Sequence, residues 1–258
     1  MPSATRPATI VLYGRTKLID SINLFYFLKI YLMTNLIFPM TIPSLEISDS
    51  VLRFPVRRIF CVGRNYAEHA RELGNDERDP PFFFTRPADA IVPSGTTLPY
   101  PLRTHEVHHE AELVVAIGKG GYNISTHKAM DHIFGFAAGN DLTRRDLQTA
   151  AKLQRRPWDM SKGFDNSAII GLISQQQKIP QETRIRCMVN GKLRQTGKVD
   201  QMTWSIGDII TALSSYVTLA PGDLIMTGTP AGVGAVGPGQ TCSVDIEGLS
   251  SAVFTYES

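Results

Sequence analysis

The chain predicts a mixed, mostly β fold, and three observations carry that expectation. Its apolar runs are short and closed by turn residues, with 21 Gly and 16 Pro among 258 residues. Few segments have helical periodicity, so the regular alternation of long helices and strands that builds a barrel or doubly wound sheet is missing. Hydrophobic residues make up 43% and charged residues 19%, a globular composition long enough to bury a core without disulfides or a structural metal. Cys61, Cys187 and Cys242 are odd in number and lack C-x-x-C spacing, and read as ordinary reduced cysteines. The net charge is +2, with Arg6, Arg15, Lys17 and Lys29 against Asp20 in residues 1–32. The remainder is near neutral, which argues against a nucleic-acid partner.

Residues 1–52 read as an N-terminal extension and lead-in strand. Residues 18–40 are the most apolar stretch, but Asp20, Asn23, Lys29 and Asn35 interrupt it. No run of about 20 apolar residues can cross a bilayer, and no stable membrane association is expected. Arg15 and Lys17 before Leu24–Leu28 resemble the start of a signal peptide without its cleavage site, so a cytoplasmic location is expected. A translation start at Met33 or Met40 is a further reading, which leaves residues 1–32 without a role in a site.

The regular body, residues 53–258, begins at 53–63, where Val56, Ile59, Cys61 and Val62 suggest a short strand ended at Gly63. A short helix over 65–74 follows, closed by Gly74. Phe82–Phe84 reads as a buried run and Ala90–Val92 as a strand. Residues 106–118 read as one strand with Glu110 and Glu112 on one face and Leu113, Val115 and Ile117 on the other. After a helical turn around Thr126–His132 comes an apolar strand over 133–139. Residues 140–154 then read as a helix with Thr143 as its cap and Leu147 and Ala151 on one side. Asn190-Gly191 between apolar runs predicts a tight hairpin within 184–197. Residues 203–219 read as an amphipathic helix burying Ile206, Ile209, Ile210, Leu213 and Val217, capped by Ser205 or Thr203. A strand and glycine-rich loop over 221–239 and a closing hairpin complete the chain.

The candidate site residues are polar groups placed at strand ends and on short connections. Glu110-x-Glu112 puts two carboxylates on one strand face about 7 Å apart, and Asp141 follows the next strand. Such a set suits an oxygen-preferring cation such as Mg²⁺ or Mn²⁺, although E-x-E alone equally fits a solvated strand face. His108 and His109 point to opposite faces and so read as packing or support for the carboxylates rather than joint ligands. His69 and Glu72 share a face of the 65–74 helix, where a glutamate could orient a proton-accepting imidazole. Arg64, Arg145, Gln148 and Lys162 are candidate donors to an acidic substrate. The loop 226–234 offers backbone N–H groups with Thr227 and Thr229 as a carboxylate nest, and it matches neither phosphate-binding glycine motif.

Taken together, CVGRNYAEH at 61–69, HHEAELVVAIGKG at 108–120, GNDLTRRDLQ at 139–148, RPWDMSKGFDNSA at 156–168, VNGKLRQTG at 189–197 and PGDLIMTGTPAGVG at 221–234 resemble the fumarylacetoacetate hydrolase family. The resemblance implies a β-sandwich roll with short peripheral helices, a homodimer, and a catalytic domain over 53–258. It implies one Mg²⁺ or Mn²⁺ per subunit on Glu110, Glu112 and Asp141, and water activation by His69 and Glu72. Lys162 falls on the family's lysine, and Gly228 and Thr229 on the turn that contacts a substrate carboxylate. The implied reaction is hydrolysis of an acylpyruvate such as fumarylpyruvate, a small dicarboxylic 2,4-dioxo acid. Oxaloacetate decarboxylation, 2-oxo-hept-3-ene-dioate isomerase or decarboxylase chemistry, and a β-rich binding protein with incidental acids stand as alternatives.

Overall fold

The computed structural model describes residues 9–12, 15–18, 37–38, 40–67 and 80–258. The chain divides into two units, Met1–Ile42 and Pro43–Ser258. In the first, β1 (Thr9–Leu12) and β2 (Arg15–Leu18) pair antiparallel. The second contains β3 (Ser44–Glu46), β4 (Arg53–Pro55), β5 (Arg58–Gly63), β6 (Phe82–Arg86), β7 (Ile91–Pro93), β8 (Thr96–Leu98), β9 (Val107–His109), β10 (Ala111–Ile117), β11 (Ile133–Asp141), β12 (Thr143–Arg144), β13 (Ala168–Ile170), β14 (Arg184–Val189), β15 (Lys192–Lys198), β16 (Asp223–Met226), β17 (Gly234–Ala235), β18 (Thr241–Ile246) and β19 (Ala252–Tyr256).

A seven-stranded sheet of order β6-β5-β16-β10-β11-β13-β7 is the frame, and a five-stranded sheet of order β15-β14-β18-β19-β8 packs against it through β14, β18 and β19. All of β10 is buried. Leu113, Val115 and Ile117 face the core shared with Ile185, Cys187, Val244 and Phe254 of the second sheet. Val114 and Ala116 face a smaller core with Leu45, Phe54, Ile59 and Met226, which the β3–β4 hairpin covers. The alternation of strand side chains therefore gives both faces of the central strands an apolar partner. The helix Ile206–Tyr216 buries Ile206, Ile209, Ile210 and Leu213, and Ser205 caps it by accepting from the Asp208 N–H. The β14–β15 hairpin turns at Asn190 and Gly191, both at positive φ of 50° and 71°, as the Asn-Gly pair predicts. The three cysteines are buried and free. Among the described residues no helix is long and apolar enough to cross a membrane.

Five local expectations are corrected. The strand read over 106–118 is broken at Glu110. Its N–H bonds the Asn140 side chain and its carbonyl accepts from Asp141, so β9 leaves the large sheet to pair with β12 and β17. The helix read over 140–154 spans only Arg145–Leu153, because β11 continues through Asp141. Thr143 is no cap: it pairs with His108, and its hydroxyl donates to the Asp141 carbonyl. Phe82–Phe84 is half-buried rather than buried, and Val217 sits half-buried just past its helix.

Candidate active site and metal centre

The antiparallel register between β10 and β11 builds the centre of the site. Ala111 pairs with Asn140 and Glu112 with Gly139, which brings Asp141 beside Glu110 where both strands end. The three carboxylates, all buried, each offer an oxygen within 4.8 Å of the others. Asn140 secures the bend by accepting from the Glu110 N–H at 3.0 Å. Glu112 accepts from the Gly228 N–H at 2.8 Å, so that N–H belongs to the carboxylate. Gly228 has φ +96°, and a Cβ there would lie 2.7 Å from Asn65 Cβ, so the turn needs glycine on two counts.

Three cations balance the acids. Lys162, at the end of a single helical turn, donates to Glu110 Oε2 and Asp141 Oδ2 at 2.7 Å each. Arg145, in the first turn of its helix, pairs with Glu110 and donates to Gln148 Oε1 at 2.6 Å. Arg86, fully buried on β6, pairs with Asp141 and donates to the carbonyls of Lys162, Ser167 and Leu142. Burial and the adjacent Glu110 carboxylate nevertheless push the Glu112 carboxyl up to about 8. Burial likewise pulls the Lys162 ammonium down, against the opposing pull of Glu110.

One cavity joins these groups. Glu110, Glu112, Asp141, Lys162, Arg145, Gln148, Arg64 and Thr229 line it, and Val62, Phe82, Phe84 and Trp158 form its apolar wall. Trp158 meets Phe82 and Phe84 edge-on at 5.5 and 6.0 Å. Arg64 lies at the end of β5 with φ +60° and stacks 5.2 Å from the Phe82 ring. Sequence reasoning missed four contributors: Lys152, which lines the cavity 5.2 Å from the Trp158 ring, Arg86, the aromatic wall, and Gln195. Only Lys152 left a local signal, since Arg145, Gln148 and Lys152 are spaced at three and four residues on one helix face. His108 bonds Glu106 and His109 bonds Gln195, so neither supplies a cavity-lining group. His69 and Glu72 lie outside the described residues.

The family model for the fumarylacetoacetate hydrolase C-terminal region matches residues 58–255. The chain belongs to the fumarylacetoacetate hydrolase family. Among solved structures, the fumarylpyruvate hydrolase of Pseudomonas aeruginosa in complex with Mn²⁺ and pyruvate is 47% identical, with a TM-score of 0.83 over 86% of this chain and 99% of that one. A fumarylpyruvate hydrolase of a Ralstonia species is 42% identical over 175 residues, 67% of this chain and 91% of the relative. A mitochondrial oxaloacetate decarboxylase of Dictyostelium discoideum is 42% identical over 198 residues, 76% of this chain and 91% of the relative.

The residues of this family member fit a divalent cation. Three carboxylate oxygens within 4.8 Å of one another form a hard donor set. Glu112, whose buried carboxyl resists ionisation, is a group that a dication would hold in its charged form.

Proposed function

We propose that the chain is a metal-dependent hydrolase of 2,4-dioxo acids that cleaves fumarylpyruvate and water to fumarate and pyruvate. The observation that carries this reading is the buried triad of Glu110, Glu112 and Asp141, set beside Lys162 and Arg145 in one cavity with an apolar far wall. Glu110, Glu112 and Asp141 would hold Mg²⁺ or Mn²⁺, which when bound supplies Lewis-acid stabilisation of negative charge on the pyruvate half. Arg145, Gln148 and Thr229 would orient that half's carboxylate, and Lys162 would place its ammonium where enolate charge develops. Phe82, Phe84 and Trp158 would exclude water from the acyl half, with Arg64 at the rim. His69, oriented by Glu72, would take the proton of the water that attacks the distal ketone. Breaking the bond between that ketone and the adjacent methylene leaves its electron pair on the pyruvate enolate, which is protonated to pyruvate. The family's homodimer is the assembly we infer for it.

Oxaloacetate decarboxylation is the second reading, favoured by the decarboxylase relative. It needs the same enolate stabilisation without the attacking water. Turnover of fumarylpyruvate, maleylpyruvate, acetylpyruvate and oxaloacetate, each with Mg²⁺ and Mn²⁺ and after chelation with EDTA, tests both. Metal-dependent release of pyruvate from fumarylpyruvate supports the hydrolase; carbon dioxide release from oxaloacetate alone replaces it with the decarboxylase.

A further inference from the structure

Gln195 lies on β15, in the sheet that does not carry the carboxylates, yet its buried side chain reaches the site loops. Its Oε1 accepts from the Ala111 N–H at 3.0 Å and lies 2.9 Å from His109 Nδ1. Its Nε2 donates to the Pro230 carbonyl at 2.7 Å and to Thr229 Oγ1 at 2.8 Å. A backbone N–H can only donate and a proline carbonyl can only accept, so two fixed groups set which end of the amide is oxygen. The remaining two contacts are then determined. His109 must carry its proton on Nδ1, and Thr229 must accept with its hydroxyl oxygen. Both donors and both lone pairs of the amide are thereby used.

We propose that Gln195 is a positioning residue that turns the Thr229 hydroxyl into a hydrogen-bond donor aimed at a ligand carboxylate in the cavity. Thr229 is buried and lines that cavity beside the three acids. Because its oxygen receives the Gln195 N–H, its own hydrogen is directed away from Gln195. Ala111 begins the strand that carries Glu112, and Pro230 follows Thr229, so one side chain also ties the metal-site strand to the substrate turn. The proposal deepens the function proposed above and rests on it for the identity of the ligand, a 2-oxo acid.

Two measurements test it. Nitrogen NMR of the His109 ring in the wild-type protein needs no substrate: a neutral ring protonated at Nδ1 is expected. A ring protonated at Nε2 alone would overturn the amide assignment, whatever reaction the protein catalyses. The second is a double-mutant cycle read by the dissociation constant of pyruvate, with Mn²⁺ present, and by KM against kcat for fumarylpyruvate. Thr229→Val should weaken pyruvate about ten- to a hundredfold, the range for a hydrogen bond to a charged group, and Thr229→Ser should restore it. Gln195→Glu keeps the shape but accepts the Thr229 hydrogen, so it should raise KM as Thr229→Val does and cost little more in the double variant. Additive losses, or wild-type pyruvate affinity in folded Gln195→Glu, would overturn the proposal. Loss of fumarylpyruvate turnover in the wild type with pyruvate binding intact would instead count against the hydrolase reading alone.

Discussion

Glu110 joins two basic groups of the site, because both Lys162 and Arg145 rest on it. Glu110→Gln keeps the side-chain volume and an accepting oxygen but removes the charge that two basic groups share and that a bound dication would need. Mn²⁺ binding by calorimetry should be lost together with turnover, while the fold survives by circular dichroism. Retained affinity and retained turnover together would remove Glu110 from the metal centre. Arg86 poses the opposite test, since it touches no substrate surface and its work is structural. Its planar group serves three carbonyls and Asp141 at once, which a lysine's point charge cannot do. Arg86→Leu leaves the buried Asp141 with Lys162 alone and three carbonyls without their donor, and should cost about 3–5 kcal/mol in denaturant unfolding. A loss under about 1 kcal/mol would mean that Asp141 finds another partner.

The helix Arg145–Leu153 is the element that aims basic and amide groups at the cavity, and Asp146 anchors it. Burial alone would raise the Asp146 carboxyl, but hydrogen bonds from the Thr104 hydroxyl and the N–H groups of His105 and Leu147 hold it below the usual range. A carboxyl lowered on folding stabilises the folded state fully above its unfolded pKa of about 3.9, and that contribution fades as pH falls through the lower folded value. Asp146→Asn should therefore melt below the wild type at pH 7, with the gap in Tm closing below about pH 4. A gap independent of pH would assign the effect to lost geometry rather than charge. This helix also illustrates how far the sequence can be read. The acidic triad was legible because strand alternation puts Glu110 and Glu112 on one face and antiparallel pairing brings the end of the next strand back to them. The helix start was not, because Thr143 has the chemistry of a cap and only the pairing of β12 with β9 draws it into a ladder. Arg86 and Gln195 were equally hidden: each is a lone residue on a strand far from the carboxylates in sequence, and its partners include main-chain groups that any sequence supplies, three carbonyls for Arg86 and two groups for Gln195.

At the scale of the molecule, both apolar cores and every described group of the site belong to the unit Pro43–Ser258. The first buried core residue in sequence among the described ones is Leu45, and the β3–β4 hairpin is laddered from Glu46 and Arg53 out to the Pro43 carbonyl, which accepts from the Val56 N–H. The upstream segment contains the broken apolar run Leu24–Leu32, whose sequence offers no acid or imidazole to the chemistry proposed. A chain begun at Met33 keeps all of the second unit and should bind Mn²⁺ and turn over fumarylpyruvate within about twofold of the full chain. Its unfolding midpoint in urea should stay unchanged, since the described residues of both cores all lie at or beyond Leu45. Purifying both forms and comparing kcat/KM with sedimentation separates the outcomes. A folded shortened chain with more than a tenfold loss, about 1.4 kcal/mol of transition-state stabilisation, would give residues 1–32 a part in the site. Equal turnover with a changed sedimentation coefficient would confine their role to assembly.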